Sequence, residues 1–175
     1  SIANIIRPDA SSYHTFFFDM ATNEPLRGET HQGFSDDSSW ARGQSWAVYG
    51  LALCYHYTHE EAILPLFERV TKYFIDHLPE DYVPYWDLIF SDGSCEPRDT
   101  SAAAIAACGI LEMEKYYHNQ EFLDIAKKMM SSLSEKYTTV DYLQSNGIIK
   151  DGMYSRKHGH KSECTSWATT SILKH

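Results

Sequence analysis

Polar and aromatic side chains crowd residues 31–46, which read HQGFSDDSSWARGQSW. Arg42 and Trp46 are four residues apart and therefore share one face of a helix, whereas Trp40 falls roughly on the opposite side. A planar guanidinium can grip a carboxylate with two parallel hydrogen bonds, and an indole can cover the apolar face of a pyranose ring. The pair therefore predicts a recognition surface for an acidic sugar.

Two structural roles compete with this interpretation. The carboxylates of Asp36 and Asp37, or the hydroxyl of Ser38, could cap the helix by accepting its unpaired N–H groups. Arg42 could also pair with Asp36 or Asp37, with Trp46 as a core residue beside it. A helix N-terminus that faces a cavity is equally a natural place to hold an anion, so both roles stay open.

The segments that would position this surface show helical periodicity. Residues 38–59 are apolar on more than one side, as expected of a helix packed on several faces, and residues 60–77 carry one apolar stripe. Residues 99–117 and 120–137 repeat the same order of a dense helix and a striped helix. The sequence thus predicts two helical hairpins, preceded by a short extended segment at 12–19.

The two hairpins form an internal repeat with a displacement of 59 residues, which places Gly50 on Gly109 and His59 on His118. One hairpin cannot bury its inner face alone, so such hairpins stack or close into barrels. At about 60 residues per hairpin, the chain amounts to about half of a ring of six. Another helix is predicted at 167–173.

The predicted fold is therefore all-α, a single domain over residues 1–175 built from part of a ring of helical hairpins. We expect the ring to be incomplete. Its uncovered inner helices, with Trp46 and the alanine-rich run 102–107, would form an exposed apolar surface that favours self-association.

The composition limits the classes of partner. Fifteen basic against 24 acidic residues give a net charge of −9, which repels nucleic acid, so an acidic ligand needs a local cation such as Arg42. No apolar run approaches the roughly 20 residues that span a bilayer, and no membrane partner is expected. A cytoplasmic location is predicted, because residues 1–14 lack the basic-then-apolar pattern of a signal peptide. Reduced core cysteines are predicted, because none of the four shows CxxC spacing: Cys54, Cys95, Cys108 and Cys164.

Other catalytic and metal motifs find little support. His158 and His160 have no third ligand at metal spacing, and Lys161 beside them would oppose a cation, so no metal is expected. The sequence has no GxSxG elbow, no Walker loop and no cysteine nucleophile beside a histidine.

Four stretches carry a resemblance to a known family: SSYHTFFFD, HQGFSDDSSWARGQSWAVYG, PYWD and RDTSAAAIAACGILE. In order and spacing they resemble glycoside hydrolase family 88, the unsaturated glucuronyl hydrolases, from about residue 9 to residue 154. The specific element is WARGQ-W-YG after an upstream HQG. The resemblance implies an (α/α)6 barrel, of which this chain would be the C-terminal half.

Members of that family remove a 4,5-unsaturated uronic acid from oligosaccharides that polysaccharide lyases leave. The resemblance implies hydration of the enol ether: a proton adds to C4, water adds at C5, and the hemiketal opens to release the remaining sugar. It implies no metal, nucleotide or other cofactor. The implied partner is an unsaturated uronate-containing oligosaccharide.

Residue by residue, the resemblance places four side chains in contact with the unsaturated sugar: His14, Gln32, Arg42 and Trp46. His31 and Trp40 would line or support the pocket. Ser155 and Lys157 resemble a Ser-x-Lys loop that in some members favours sulfated glycosaminoglycan disaccharides. An ordinary solvated loop is the alternative for these two residues.

The resemblance gives this chain no catalytic residue, because the acid/base aspartate of the family and a second essential aspartate lie in preceding helices. Asp36, Asp37, Asp87 and Asp99 do not match those positions, and helix capping is the simpler role for Asp99. We therefore expect negligible turnover by this chain alone. A hydrolase for unsaturated rhamnogalacturonan and a non-catalytic helical-repeat binding module are the alternatives.

Overall fold

Helices dominate the computed structural model of the chain, which describes residues 2–142, 144–159 and 161–166. After the single-turn helix α1 (Ile2–Ile5) come four longer helices: α2 (Ala41–Thr58), α3 (Ile63–Asp76), α4 (Thr100–Glu114) and α5 (Gln120–Lys136). All four helices predicted from the apolar periodicity are confirmed, each shorter than predicted at one or both ends. The helix predicted at 167–173 lies outside the described residues.

The four helices form two hairpins, α2 with α3 and α4 with α5, and the inner helices α2 and α4 lie against each other. The striped helices cover this inner pair because their apolar residues recur every three or four positions. These residues enter one core, with Phe67, Val70 and Phe74 from α3 and Phe122 and Met129 from α5. The sequence repeat is therefore also a structural repeat.

Helices α2 and α4 come very close at Gly109. A Cβ atom at this position would lie 2.7 Å from the Cα of Tyr49, so only glycine fits between the two backbones. At the repeat-related Gly50, a Cβ atom would have no described neighbour within 4 Å. The described part of the chain therefore leaves room for a side chain at Gly50.

Two short antiparallel strand pairs accompany the helices. Strand β1 (Thr15–Phe18) pairs with β2 (Pro25–Glu29), and β3 (Gly152–Met153) pairs with β4 (Ser162–Glu163). The extended segment predicted at 12–19 is confirmed by β1. The other strands were not predicted, because β2 shows no alternation of exposure and a two-residue strand is too short to show a period.

Two predictions about exposure need correction. The run 102–107 is fully buried, because α2, α5 and β3 pack around α4. Trp46 on α2 is exposed as expected. Self-association stays a prediction, and the exposed surface that would mediate it belongs to α2. Of the four cysteines only Cys108 is buried, so the predicted core placement is wrong for the other three, Cys54, Cys95 and Cys164.

No helix in the described part of the chain is both long and apolar enough to cross a membrane.

Candidate functional site

Helix α2 begins without a side-chain cap. Trp40 occupies the N-cap position with φ −59° and ψ 121°, and its side chain accepts no hydrogen bond from the first turn. The Ala41 N–H donates instead to the carbonyl of Trp86 at 3.2 Å, so a neighbouring loop satisfies this helix end. The predicted side-chain cap is wrong for all three candidates, Asp36, Asp37 and Ser38.

Two acidic side chains stabilise the loop before α2. The buried Asp87 carboxylate accepts from the N–H of Phe34 at 2.9 Å and from the hydroxyl of Ser38 at 2.7 Å. The Asp36 carboxylate accepts from the N–H of Thr30 at 2.8 Å. Side-chain hydrogen bonds of this kind compete with helix capping. Asp36 and Ser38 therefore stabilise the loop before α2 and do not cap the helix.

Arg42 is buried in the first turn of α2, with only 3% of its surface exposed. Nη1 donates to the carboxylate of Asp99 at 2.6 Å, to the hydroxyl of Ser101 at 3.0 Å and to the carbonyl of Met153 at 2.8 Å. Nη2 donates to the carbonyl of Tyr154 at 2.7 Å. Arg42 therefore joins the starts of α2 and α4 to the segment that contains β3.

Asp99 caps α4 as predicted, because its carboxylate accepts from both the N–H and the hydroxyl of Ser101. The pairing of Arg42 with Asp36 or Asp37 is wrong, since Asp99 at the start of the neighbouring helix reaches it instead. Burial raises the pKa of the Asp99 carboxyl and lowers the pKa of Arg42, while their mutual attraction opposes both shifts.

The ring of Trp40 contacts both a cation and an imidazole. The Arg42 guanidinium carbon is 4.5 Å from a Trp40 ring centroid, and the His14 ring centroid is 4.4 Å away. The prediction that Trp40 lies opposite Arg42 is wrong, because Trp40 precedes the helix and helical spacing does not apply to it. A cation over an indole face is attracted electrostatically, so Trp40 supports both neighbours.

His14 is held by the loop that follows β2. Its Nδ1 accepts from the N–H of His31 at 3.1 Å and from the N–H of Gln32 at 3.3 Å. An accepting Nδ1 carries no proton, so the neutral ring has its proton on Nε2. Burial lowers the pKa of His14, and the positive charges of His31 and Arg42 lower it further. His31 is itself exposed, with its ring 6.0 Å from His14.

Gln32 is half-buried, whereas Trp46 is exposed. The Gln32 carboxamide donates to the carbonyl of Tyr154 at 2.6 Å, the same carbonyl that Arg42 holds. Trp46 is 43% exposed one helical turn after Arg42, and its ring is stacked near Tyr49. Direct contacts thus join five of the predicted residues: His14, His31, Gln32, Trp40 and Arg42.

The Ser-x-Lys segment follows Tyr154 directly. Ser155 is buried, and its hydroxyl lies 2.6 Å from Nδ1 of His158, at the start of the short 3-10 helix Arg156–His158. Lys157 is exposed. Of this pair, Lys157 presents its side chain to solvent, whereas Ser155 is engaged within the turn.

A metal site at His158 and His160 was not expected from the sequence. His160 lies outside the described residues. Among the residues that the structure describes, no three His, Cys, Asp or Glu side chains stand close enough to hold a metal ion together.

Three partners of Arg42 were not predicted from the sequence: the carboxylate of Asp99 and the carbonyls of Met153 and Tyr154. The repeat contained a signal for the first of these. The repeat places Ser101 at the position that corresponds to Arg42. The inner helices of neighbouring repeats pack side by side, so Asp99 at the start of α4 is expected near Arg42 at the start of α2. Carbonyl acceptors give no such signal, because every residue has one.

The sequence model of Glycosyl Hydrolase Family 88 matches residues 7–170. The chain is 49% identical to the unsaturated chondroitin disaccharide hydrolase of Streptococcus pneumoniae, over 91% of this chain and 41% of that protein. It is 39% identical to the unsaturated glucuronyl hydrolase of Bacillus sp. strain GL1, over 97% of this chain and 47% of that protein.

Solved structures of such enzymes have the same fold. The unsaturated glucuronyl hydrolase of Streptococcus agalactiae matches with a TM-score of 0.92 at 44% identity, over 98% of this chain and 45% of that one. The Bacillus sp. GL1 structure gives a TM-score of 0.91 at 37% identity, over 97% and 46%. These matches confirm the predicted part of an (α/α)6 barrel, and the chain spans less than half the length of these relatives. It belongs to Glycosyl Hydrolase Family 88.

Proposed function

We propose that this chain forms the sugar-binding wall of an unsaturated glucuronyl hydrolase, whose ligand is an unsaturated uronate at the end of an oligosaccharide. The observation that carries this proposal is the cluster at the start of α2. It combines an exposed indole, a neutral imidazole and a carboxamide around one buried cation. An apolar face, polar donors and a positive charge suit a planar acidic sugar.

Each side chain would have its own task. Trp46 covers the apolar face of the sugar ring, His14 donates from Nε2, and Gln32 offers its carboxamide. Arg42 contributes mainly its positive charge, because both of its terminal nitrogens already donate within the protein. The two-bond grip expected from the sequence would require Arg42 to exchange a protein acceptor for the ligand.

Lys157 would be the cation for a sulfate group on the following sugar, with Ser155 fixing the turn that carries it. A mutant of the Streptococcus agalactiae enzyme has been solved in complex with dGlcA-GalNAc6S. Such a sulfated disaccharide is therefore the natural first ligand to test with this chain.

The proposed reaction is hydration of the C4–C5 double bond. C4 gains a proton, the oxygen of water adds at C5, and the hemiketal opens to release the remaining sugar. The carboxylates of Asp87 and Asp99 are buried and accept hydrogen bonds within the protein, so neither suits the role of proton donor. We therefore expect this chain alone to bind the sugar with negligible turnover.

Calorimetry with two disaccharides tests the proposal. The chain is titrated with the unsaturated 6-sulfated chondroitin disaccharide and with the matching saturated disaccharide, and the conjugated-enol absorbance of the first is followed in the same sample. We expect tighter binding of the unsaturated sugar and a constant absorbance. Absence of binding would overturn the proposed function. A falling absorbance would overturn the assignment of the proton donor to another part of the enzyme.

A further inference from the structure

An exposed aromatic surface lies beside the proposed sugar-binding wall. Phe34 has 53% of its surface exposed. Its ring centroid is 5.4 Å from that of Phe90 and 6.3 Å from that of the buried Trp86, and the last two are 5.6 Å apart. We call these three residues the Phe34 platform. Phe34 meets the other two rings in edge-to-face arrangements, and about half of its surface stays open to solvent.

Hydrogen bonds hold the platform in place. The N–H of Phe34 donates to the buried Asp87 carboxylate at 2.9 Å, and the indole N–H of Trp86 donates to Glu96 at 2.9 Å. A surface that is already ordered loses little conformational entropy when it binds a ligand. The platform is therefore prepared for contact without rearrangement.

The platform is continuous with the sugar-binding wall along the chain. Only Gly33 separates Phe34 from Gln32, and the Gln32 carboxamide donates to the carbonyl of Tyr154. An oligosaccharide that extends from the wall past Gln32 would therefore reach Phe34 next.

A second connection links the platform to the wall through side-chain contacts. Glu96 accepts from Trp86 and also from Arg156 at 3.4 Å, and Arg156 lies two residues after Tyr154. The exposed ion pair places donors and acceptors at the edge of the aromatic surface. Sugar hydroxyls require such polar groups beside an apolar face.

We propose that the Phe34 platform is a further sugar subsite, which binds a pyranose ring located beyond the first two sugars of the oligosaccharide. The inference rests on the proposed function and adds a preference for chain length. The apolar face of the ring lies on Phe34, and its hydroxyls reach Glu96 and Arg156. The first two sugars occupy the wall and the Lys157 turn, so a disaccharide does not reach the platform.

Calorimetry with unsaturated chondroitin di- and tetrasaccharides tests the subsite on the wild-type chain and the Phe34→Ala variant. The wild type is expected to bind the tetrasaccharide about two- to tenfold more tightly than the disaccharide, a range typical of one aromatic contact. Phe34→Ala removes this preference and leaves the disaccharide affinity unchanged. Tyr57→Ala, which removes an exposed aromatic ring at the far end of α2, serves as the control and keeps the preference.

The outcomes separate the two claims. Equal binding of both sugars by the wild type, or an unchanged preference in Phe34→Ala, overturns the subsite while the proposed function stands. Absence of binding by either sugar overturns both. Weaker disaccharide binding by Phe34→Ala also overturns the subsite, because Phe34 would then act on the wall itself.

Discussion

Helices α2 and α4 are repeat-related and packed together, yet they begin and end in different surroundings. The start of α4 is capped by the buried Asp99, and the helix is buried along most of its length. The start of α2 has no side-chain cap and lies among the residues of the candidate site, with Trp46 open to solvent. One copy of the repeat therefore fills the core, whereas the start of the other carries the side chains of the candidate site.

A buried ion pair couples the starts of the two copies. Arg42 of α2 reaches Asp99 at the start of α4, and the same guanidinium holds the carbonyls of Met153 and Tyr154. The start of α4 thus positions the side chain of Arg42 at the start of α2. Substitutions in the two helices should separate these roles.

The largest effect is expected from Asp99→Ala. Removal of this carboxylate leaves the Arg42 charge buried without its partner, which costs about 3–5 kcal/mol of unfolding free energy. Urea unfolding measures the loss. Asp76→Ala is the matched control, because it removes the acidic partner of Lys72 in an exposed ion pair and should cost about 0–1 kcal/mol. Similar losses in both variants would show that the buried pair has no special role.

The two glycines of the repeat should respond in opposite directions. Gly109→Ala forces a methyl group against the backbone of α2 and should lower the unfolding free energy by about 1–3 kcal/mol. Gly50→Ala meets open space and should raise it by about 0.5–1 kcal/mol, since alanine favours the helix. Thermal or urea unfolding distinguishes them. A destabilised Gly50→Ala would mean that this face of α2 is covered in solution.

A smaller effect concerns pH and His14. Burial lowers the pKa of His14 below 6.5, so the folded state binds fewer protons at this site than the unfolded state does. The stability that the neutral ring contributes is complete above pH 6.5 and is lost as the pH falls through the lowered value.

His14→Asn tests this dependence, because the amide oxygen can accept the same two backbone hydrogen bonds without titrating. We expect the free energy of unfolding of the wild type, relative to the variant, to decrease as the pH drops below 6.5. Urea unfolding over a pH series measures it. Parallel pH curves for the two proteins would contradict the assignment of a neutral His14.

The sequence predicts the helices well because their packing imposes a period on the apolar residues. Strand β2 was not predicted because the exposure of its residues does not alternate. The predicted caps of α2 were wrong because Asp36 and Asp37 lie close to the helix in sequence but do not bind its first turn. The site residues could be proposed from the family resemblance, which gives no partner for Arg42. That contact depends on how two helices 59 residues apart pack together. The repeat indicates this packing, whereas propensity and motif spacing do not.

The most direct measurement of the central claim compares two aromatic residues on α2. The chain is titrated with the unsaturated 6-sulfated chondroitin disaccharide as wild type, Trp46→Ala and Tyr57→Ala. Trp46 lies one turn from Arg42, whereas the 78% exposed Tyr57 lies about 22 Å along the helix from Arg42. Binding should weaken about tenfold or more in Trp46→Ala and remain unchanged in Tyr57→Ala. Equal affinities for all three proteins would contradict the claim that the start of α2 is the sugar-binding wall.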